Sequence, residues 1–250
     1  MPRGRCKLCL LHKELQDSHL MPRSLYKKAR SSGRKGNQDP LVVTTTGSRR
    51  SSHQITDYVL CHDCEERFNK NGENYVMTIV TRQDLRFPLL EMLSAIPPKQ
   101  RGAGWVAYSA ADTPTIDREK LAYFAISVFW RASVHTWEQE NGKLVSIDLG
   151  KKYNEEIRKY LMGETAIPKA AVMSIAVCTD RESHRSFFMP STNRKTKDGT
   201  VGFGARGLMF FLRVSNRHAP WQERISMINN PNGWIAAYDC VKNEMWRLGD

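Results

Sequence analysis

The sequence predicts an α+β protein in two parts. An N-terminal metal-held unit spans about residues 1–96, and a helix packed on an antiparallel sheet fills about residues 97–250. Three observations predict this. Cys6-Lys7-Leu8-Cys9 and Cys61-His62-Asp63-Cys64 supply four sulfurs in two Cys-x-x-Cys pairs, the number a tetrahedral structural zinc requires. Leu121, Phe124, Ala125, Val128, Phe129 and Ala132 keep helical spacing, with Tyr123, Ile126, Trp130 and Trp137 filling the neighbouring faces. Such a helix, apolar over most of its circumference, belongs at the centre of a core. From Lys169 onward the pattern changes to short apolar or alternating runs separated by turn residues, which read as strands.

Each element can be justified in order. The two knuckles close a long basic segment that has few core residues of its own, so metal binding would order it. The alternative, a pair of thioredoxin-type redox sites, calls for a strand before each pair in a βαβ setting, and neither pair has one. Residues 23–56 read as a basic insertion. Leu41-Val42-Val43-Thr44-Thr45-Thr46 is strand-like, Gly33, Gly36 and Gly47 mark turns, and His53 is expected at the surface. The second knuckle opens a short helix, about Asp63 to Asn69, which Asn71-Gly72 should end. Tyr75–Val80 is a strand or the apolar start of the next element. A helix over Phe87–Ile96 is stopped by Pro97-Pro98, and Pro97 to Pro114, with Gly102 and Gly104, reads as a linker or domain seam.

Thr115 or Asp117 caps the long helix. Within it Ser127, Arg131 and His135 lie four apart on one face. Arg131 is expected to anchor the helix through backbone carbonyls rather than to contact phosphate, because a guanidinium at a buried position demands partners. A further helix runs from about Tyr153 to Met162 and ends at Gly163. Strands are expected over Ala171–Cys178, Ser186–Met189, Leu208–Val214 and Trp234–Asp239. Gly202-Phe203-Gly204-Ala205-Arg206-Gly207 matches a dinucleotide fingerprint letter for letter. It follows a polar loop and leads into Leu-Met-Phe-Phe-Leu, both contrary to the strand-to-helix setting that dinucleotide binding needs. Arg194, Lys195 and Lys197 read as a solvated hairpin tip, with a second nucleic-acid contact as the alternative.

Composition narrows the class. The 250 residues are 40% apolar and 26% charged, ordinary for a soluble globular chain. No run approaches the ~20 apolar residues that span a bilayer. Met-Pro-Arg-Gly-Arg-Cys enters the first knuckle directly, without an apolar leader, so a cytoplasmic location without membrane association is expected. Of six cysteines, Cys178 and Cys240 belong to no motif and are expected as buried, reduced thiols.

Between the knuckles sits Ser18-His19-Leu20-Met21-Pro22, and Tyr58-Val59-Leu60 leads into Cys61. Together with Cys6 and Cys9, these residues resemble the zinc-bearing branch of the HNH (ββα-metal, treble-clef) nucleases, over roughly residues 5–75. The resemblance implies a metal-dependent endonuclease in which His19 is the general base activating water, a role that suits an imidazole titrating near neutrality. It also implies a catalytic Mg²⁺ or Mn²⁺ beside a structural Zn²⁺ held by Cys6, Cys9, Cys61 and Cys64. Three features depart from the family pattern. Ser18 stands where many members carry a metal ligand. Thr56 or Asp57 replaces an orienting Asn. The ligand on the final helix is matched only loosely, by Glu65, Glu66 or Asn69; of these, Asn69 would join His19 in the catalytic group, and Glu65 and Glu66 would hold the catalytic metal.

Charge points to the same partner. Residues 1–50 hold twelve Lys and Arg against three acids, nine of the chain's twelve net positive charges. Such a field suits a polyphosphate. Arg23, Lys27, Lys28, Arg30, Arg34, Lys35, Arg49 and Arg50 are the candidate nucleic-acid contacts, with DNA ranked ahead of RNA. The C-terminal unit would recognise substrate or a partner protein. Two other functions compete: a non-catalytic zinc module that binds nucleic acid, and a protein–protein adaptor stapled by zinc.

Overall fold

The computed structural model describes residues 1–29, 39, 41–44, 47–51, 53–192 and 198–242. The N-terminal half runs β1 (Arg3–Arg5), β2 (His12–His19), α1 (Arg23–Ala29), β3 (Leu41–Thr44), β4 (Gly47–Arg50), β5 (Thr56–Cys61) and α2 (His62–Phe68). A π-helical turn (Asn69–Glu73) then carries α2 without a break into α3 (Asn74–Ile79), and α4 (Pro88–Ser94) follows. Next come β6 (Gln100–Gly102), β7 (Trp105–Ser109), α5 (Arg118–Val134), β8 (Trp137–Glu138), β9 (Leu144–Val145) and α6 (Lys151–Met162). The chain ends with β10 (Ala171–Cys178), β11 (Ser186–Thr192), β12 (Val201–Ala205), β13 (Leu208–Val214), α7 (Pro220–Arg224) and β14 (Trp234–Tyr238).

Helix α5 is the centre of the molecule. Asp117 caps it by accepting a hydrogen bond from the Lys120 N–H at 3.0 Å, which satisfies one of the helix's orphan donors. Every residue from Leu121 to Ala132 is buried. On one side Phe124 and Phe129 meet Phe203 of β12 at 6.1 and 4.9 Å between ring centroids. On another, Tyr123 and Trp130 pack edge-on against Phe68 of α2. Each large apolar side chain buried this way contributes about 1.5–3 kcal/mol, whereas a solvent-screened ion pair such as Lys13–Asp63 contributes far less. One helix thus joins the knuckle unit to the sheet.

Among the described residues the large sheet has nine strands in the order β4-β3-β11-β12-β13-β10-β14-β7-β6, and a separate three-stranded sheet runs β1-β2-β5. The large sheet is mixed rather than antiparallel throughout: β3 pairs parallel with β11, and β10 parallel with β14. The basic insertion therefore adds its β3–β4 hairpin to the edge of the C-terminal sheet. Arg30, Arg34, Lys35, Arg194, Lys195 and Lys197 lie outside the described residues, as does the side chain of Arg49.

Several sequence expectations are corrected. Asn71-Gly72 does not end a helix. A Cβ on Gly72 would sit 2.7 Å from the Phe124 backbone nitrogen, so the glycine is there to let the π turn approach α5. Tyr75–Ile79 accordingly continues as helix. The expected linker after Pro98 instead supplies β6 and β7, which extend the sheet beyond β14. Cys178 and Cys240 are joined as a disulfide, not reduced. Cys178 lies opposite Tyr238 in the parallel β10–β14 pair, and the chain brings Cys240, two residues on, to a Cα separation of 5.3 Å. Both are fully buried as expected; their proximity depends on a register that composition does not encode. The Gly202–Gly207 motif lies in the β12–β13 hairpin. Among the described residues no helix is long and apolar enough to cross a membrane.

Candidate metal centre and the adjoining cleft

The four knuckle cysteines converge. Cys6 and Cys9 lie on a tight turn after β1, closed by the Leu10 N–H donating to the Cys6 carbonyl at 2.9 Å. Leu10 sits at φ 64°, a left-handed conformation costing a non-glycine residue about 1–3 kcal/mol that persists only where surrounding structure holds it. Cys61 ends β5 and Cys64 lies in the first turn of α2. All four sulfurs are within 4.8 Å of one another. Cys9 Sγ and Cys61 Sγ are 3.8 Å apart, the edge of a tetrahedron built on a Zn–S bond of about 2.3 Å. The Cys61 N–H points at Cys6 Sγ, 3.4 Å away.

Protonation follows from this crowding. The hydrogen bond from Cys64 holds the Cys6 thiol down at about 4. That same contact, with burial and the Cys6 charge, pushes Cys64 well above the ordinary thiol range, and burial pushes Cys61 up. Protein groups alone leave the set sharing protons; a divalent cation would allow all four to be thiolates. The cluster could hold a structural metal ion, and its all-sulfur tetrahedral donor set is consistent with zinc.

A cleft of about 560 Å³ lies beside the cluster. Four elements build it: the end of β2, the start of α1, the outer face of α2 with its π turn, and α5 beneath. It brings together His19, Asn69, Glu65 and Glu66 with Arg23 and Lys27. Strand alternation explains the placing of His19. In β2, Ser18 turns inward, 1% exposed, and accepts the Leu60 N–H at 3.1 Å, so its hydroxyl is a ladder contact and no part of the cleft. His19 faces the other way.

The His19 ring is held by a residue that the sequence reading missed. Its Nε2 lies 2.8 Å from Gln54 Oε1. An amide oxygen only accepts, so this contact puts the proton on Nε2 and leaves the Nδ1 lone pair free. Thr56 pairs with His19 through the backbone ladder, and Asp57 accepts from His135 at 2.8 Å; neither orients the imidazole. Below the ring, Arg131 donates to the His19 carbonyl at 2.7 Å and to Glu73 Oε1 at 2.7 Å. The expectation of an arginine anchored by a carbonyl is met, with a buried ion pair added. Burial pushes the Glu73 carboxyl up, and the Arg131 charge offsets part of that.

The acids differ from one another. Glu66 pairs with Lys70 at 2.8 Å, a contact that holds its carboxyl below the ordinary range. Glu65 Oε1 is sealed from solvent and has no hydrogen-bond partner among the described residues, an uncommon state for a carboxylate oxygen. His19, Glu65, Glu66 and Glu73 do not close to the mutual spacing that the four sulfurs show; among the described residues the only other such group is Cys178, Asp180 and Cys240.

Basic residues line the approach. Arg23 and Lys27 are exposed at the cleft, and Lys27 also borders a second hollow with Lys28, Arg82 and Gln83. Arg82 was not a candidate from sequence, since it stands outside the basic N-terminal run. Arg50 is exposed on β4 and donates to the Asp39 carbonyl, apart from the cleft lining.

The chain matches no protein-family model, no curated protein and no solved structure. The likeness to HNH nucleases therefore stands on the residues themselves.

Proposed function

We propose that the protein is a metal-dependent nucleic-acid endonuclease of HNH-like, zinc-stapled type. The observation that carries this reading is the convergence in one cleft of His19, Asn69 and Glu65 with Arg23 and Lys27, alongside a four-sulfur cluster. The succession β2, β5, α2 supports a ββα arrangement.

The chemistry assigns each residue a task. Arg23 and Lys27 draw the phosphodiester into the cleft. His19 Nδ1 accepts a proton from the water that attacks phosphorus, while Gln54 holds the Nε2 proton and the ring plane. As the new P–O bond forms, the bond to the leaving oxygen breaks, and that oxygen takes a proton from solvent. Glu65 and Glu66, with Asn69 beside them in the cleft lining, would hold a hard cation of the Mg²⁺ or Mn²⁺ kind. When bound, such a cation would supply charge neutralisation for the leaving oxygen.

The test is cleavage of plasmid DNA and of RNA with Mg²⁺ or Mn²⁺. His19→Ala should lower cleavage about 10²–10⁴-fold with the fold and bound zinc unchanged. Equal cleavage by the variant, or none by the parent protein on either nucleic acid, rejects catalysis. Salt-sensitive binding without cleavage would favour a zinc module that only binds nucleic acid.

A further inference from the structure

We propose that the face of the large sheet turned away from α5 carries a second ligand site, one that stacks the bases of a single-stranded nucleic acid. It borrows the partner class from the proposed function but rests on separate observations and requires no catalysis.

The groove has a volume of about 620 Å³ and is lined by β6, β7, β14, β10 and α7, within the range of roughly 300–1,000 Å³ typical of ligand sites. Strand register dictates its shape. In β14, Trp234, Ala236 and Tyr238 alternate with Ile235 and Ala237, which are 0% and 3% exposed in the core. Across the ladder Trp105 faces Tyr238 and Ala107 faces Ala236, with Ala176 on the other flank of Ala236. Small residues thus form a floor between aromatic walls. α7 overhangs it with Trp221, Arg224 and Ile225, spaced to share one helix face.

Trp105 is seated deliberately. A Cβ on Gly102 would collide with Nε1, Cε2 and Cζ2 of its indole, so the missing side chain lets the ring lie across the edge strand. Trp105 and Trp221 remain 40% and 54% exposed, although buried indoles dominate cores elsewhere in this chain. Among the described residues no aromatic ring packs on Trp105, Trp221, Trp234 or Tyr238, and Arg224 has no carboxylate partner.

Charge selects the occupant. Among the described residues no acid lines the groove, and its one cation is Arg224. A cationic ligand of the aromatic-cage kind would be repelled, and a neutral sugar would leave the guanidinium unused. Flat rings beside a free guanidinium suit a base for stacking with its phosphate nearby.

The test measures affinity for a 12-nucleotide oligo(dT) by fluorescence anisotropy, without added Mg²⁺ or Mn²⁺, and maps photo-crosslinks from a 5-iodouracil version. Trp105→Ala and Trp221→Ala should each weaken binding roughly 5- to 100-fold, with crosslinks on Trp or Tyr of the groove. Trp221→Phe should retain most of the affinity. The proposal is overturned if both alanine variants bind within twofold of the parent protein, or if they lose single-strand and duplex affinity equally. It is also overturned if they lose a neutral oligosaccharide instead. Failure of the cleft reading looks different: neither nucleic acid is cut with metal present, while the crosslinks and tryptophan effects can still be read.

Discussion

The sulfur cluster and the His19 cleft are neighbours built on opposite principles. The cluster is buried at three of its four cysteines, its four ligand atoms lie within 4.8 Å of one another, and two knuckles supply everything it needs. The cleft is open, draws on four elements, and its acids do not close to the spacing of the sulfurs. The difference teaches where each can be damaged. The cluster's energy is structural, so harm there should unfold the unit around it. Under the proposed function the cleft's groups act on a substrate rather than hold the chain together, so harm there should spare the fold.

The largest effect tests the structural half of that contrast. Cys64→Ser should cost more than about 5 kcal/mol, since a structural zinc site supplies about 10–16 kcal/mol. Denaturant melts should show it, and elemental analysis should find the bound metal lost. A stable, metal-free variant would dissolve the contrast. Next comes the seam between the two regions. Arg131→Leu should destabilise by about 3–5 kcal/mol by leaving the Glu73 carboxylate buried alone. Adding Glu73→Leu should recover much of that loss, so a double variant as unstable as the single would mean the pair is not coupled. The smallest stability effect belongs to the cleft proper. Gln54→Ala should leave the melting midpoint unchanged while lowering turnover about tenfold, the low end of what losing an outer partner of a functional imidazole costs. Unaltered turnover would show that the ring needs no such support.

Legibility divides along the same line. The sulfurs could be found because a knuckle is local: two residues apart in the chain are close in space whatever the fold. The α5 core could be found because burial on every side leaves an apolar period. Gln54 could not, because it meets His19 across an insertion, and one amide in a polar stretch carries no pattern. Glu73 was hidden by Gly72, which reads as a stop until the Phe124 backbone is seen 2.7 Å from where its Cβ would be. Gly102 misled in the same way. It suggested a linker, whereas its missing side chain makes room for an indole in a strand pair. In both cases glycine reports a close approach rather than a break. The Cys178–Cys240 bridge needed the parallel register of β10 and β14, a long-range pairing that no local run specifies.

The detour between β2 and β5 has a consequence of its own. It departs just after His19 and returns at Gln54, so the residues on either side of the excursion clasp each other at 2.8 Å while its hairpin is moored on β11. Lengthening the excursion, or letting a cargo settle on it, would leave the sulfur knuckles undisturbed and be felt first in the tilt of a single ring.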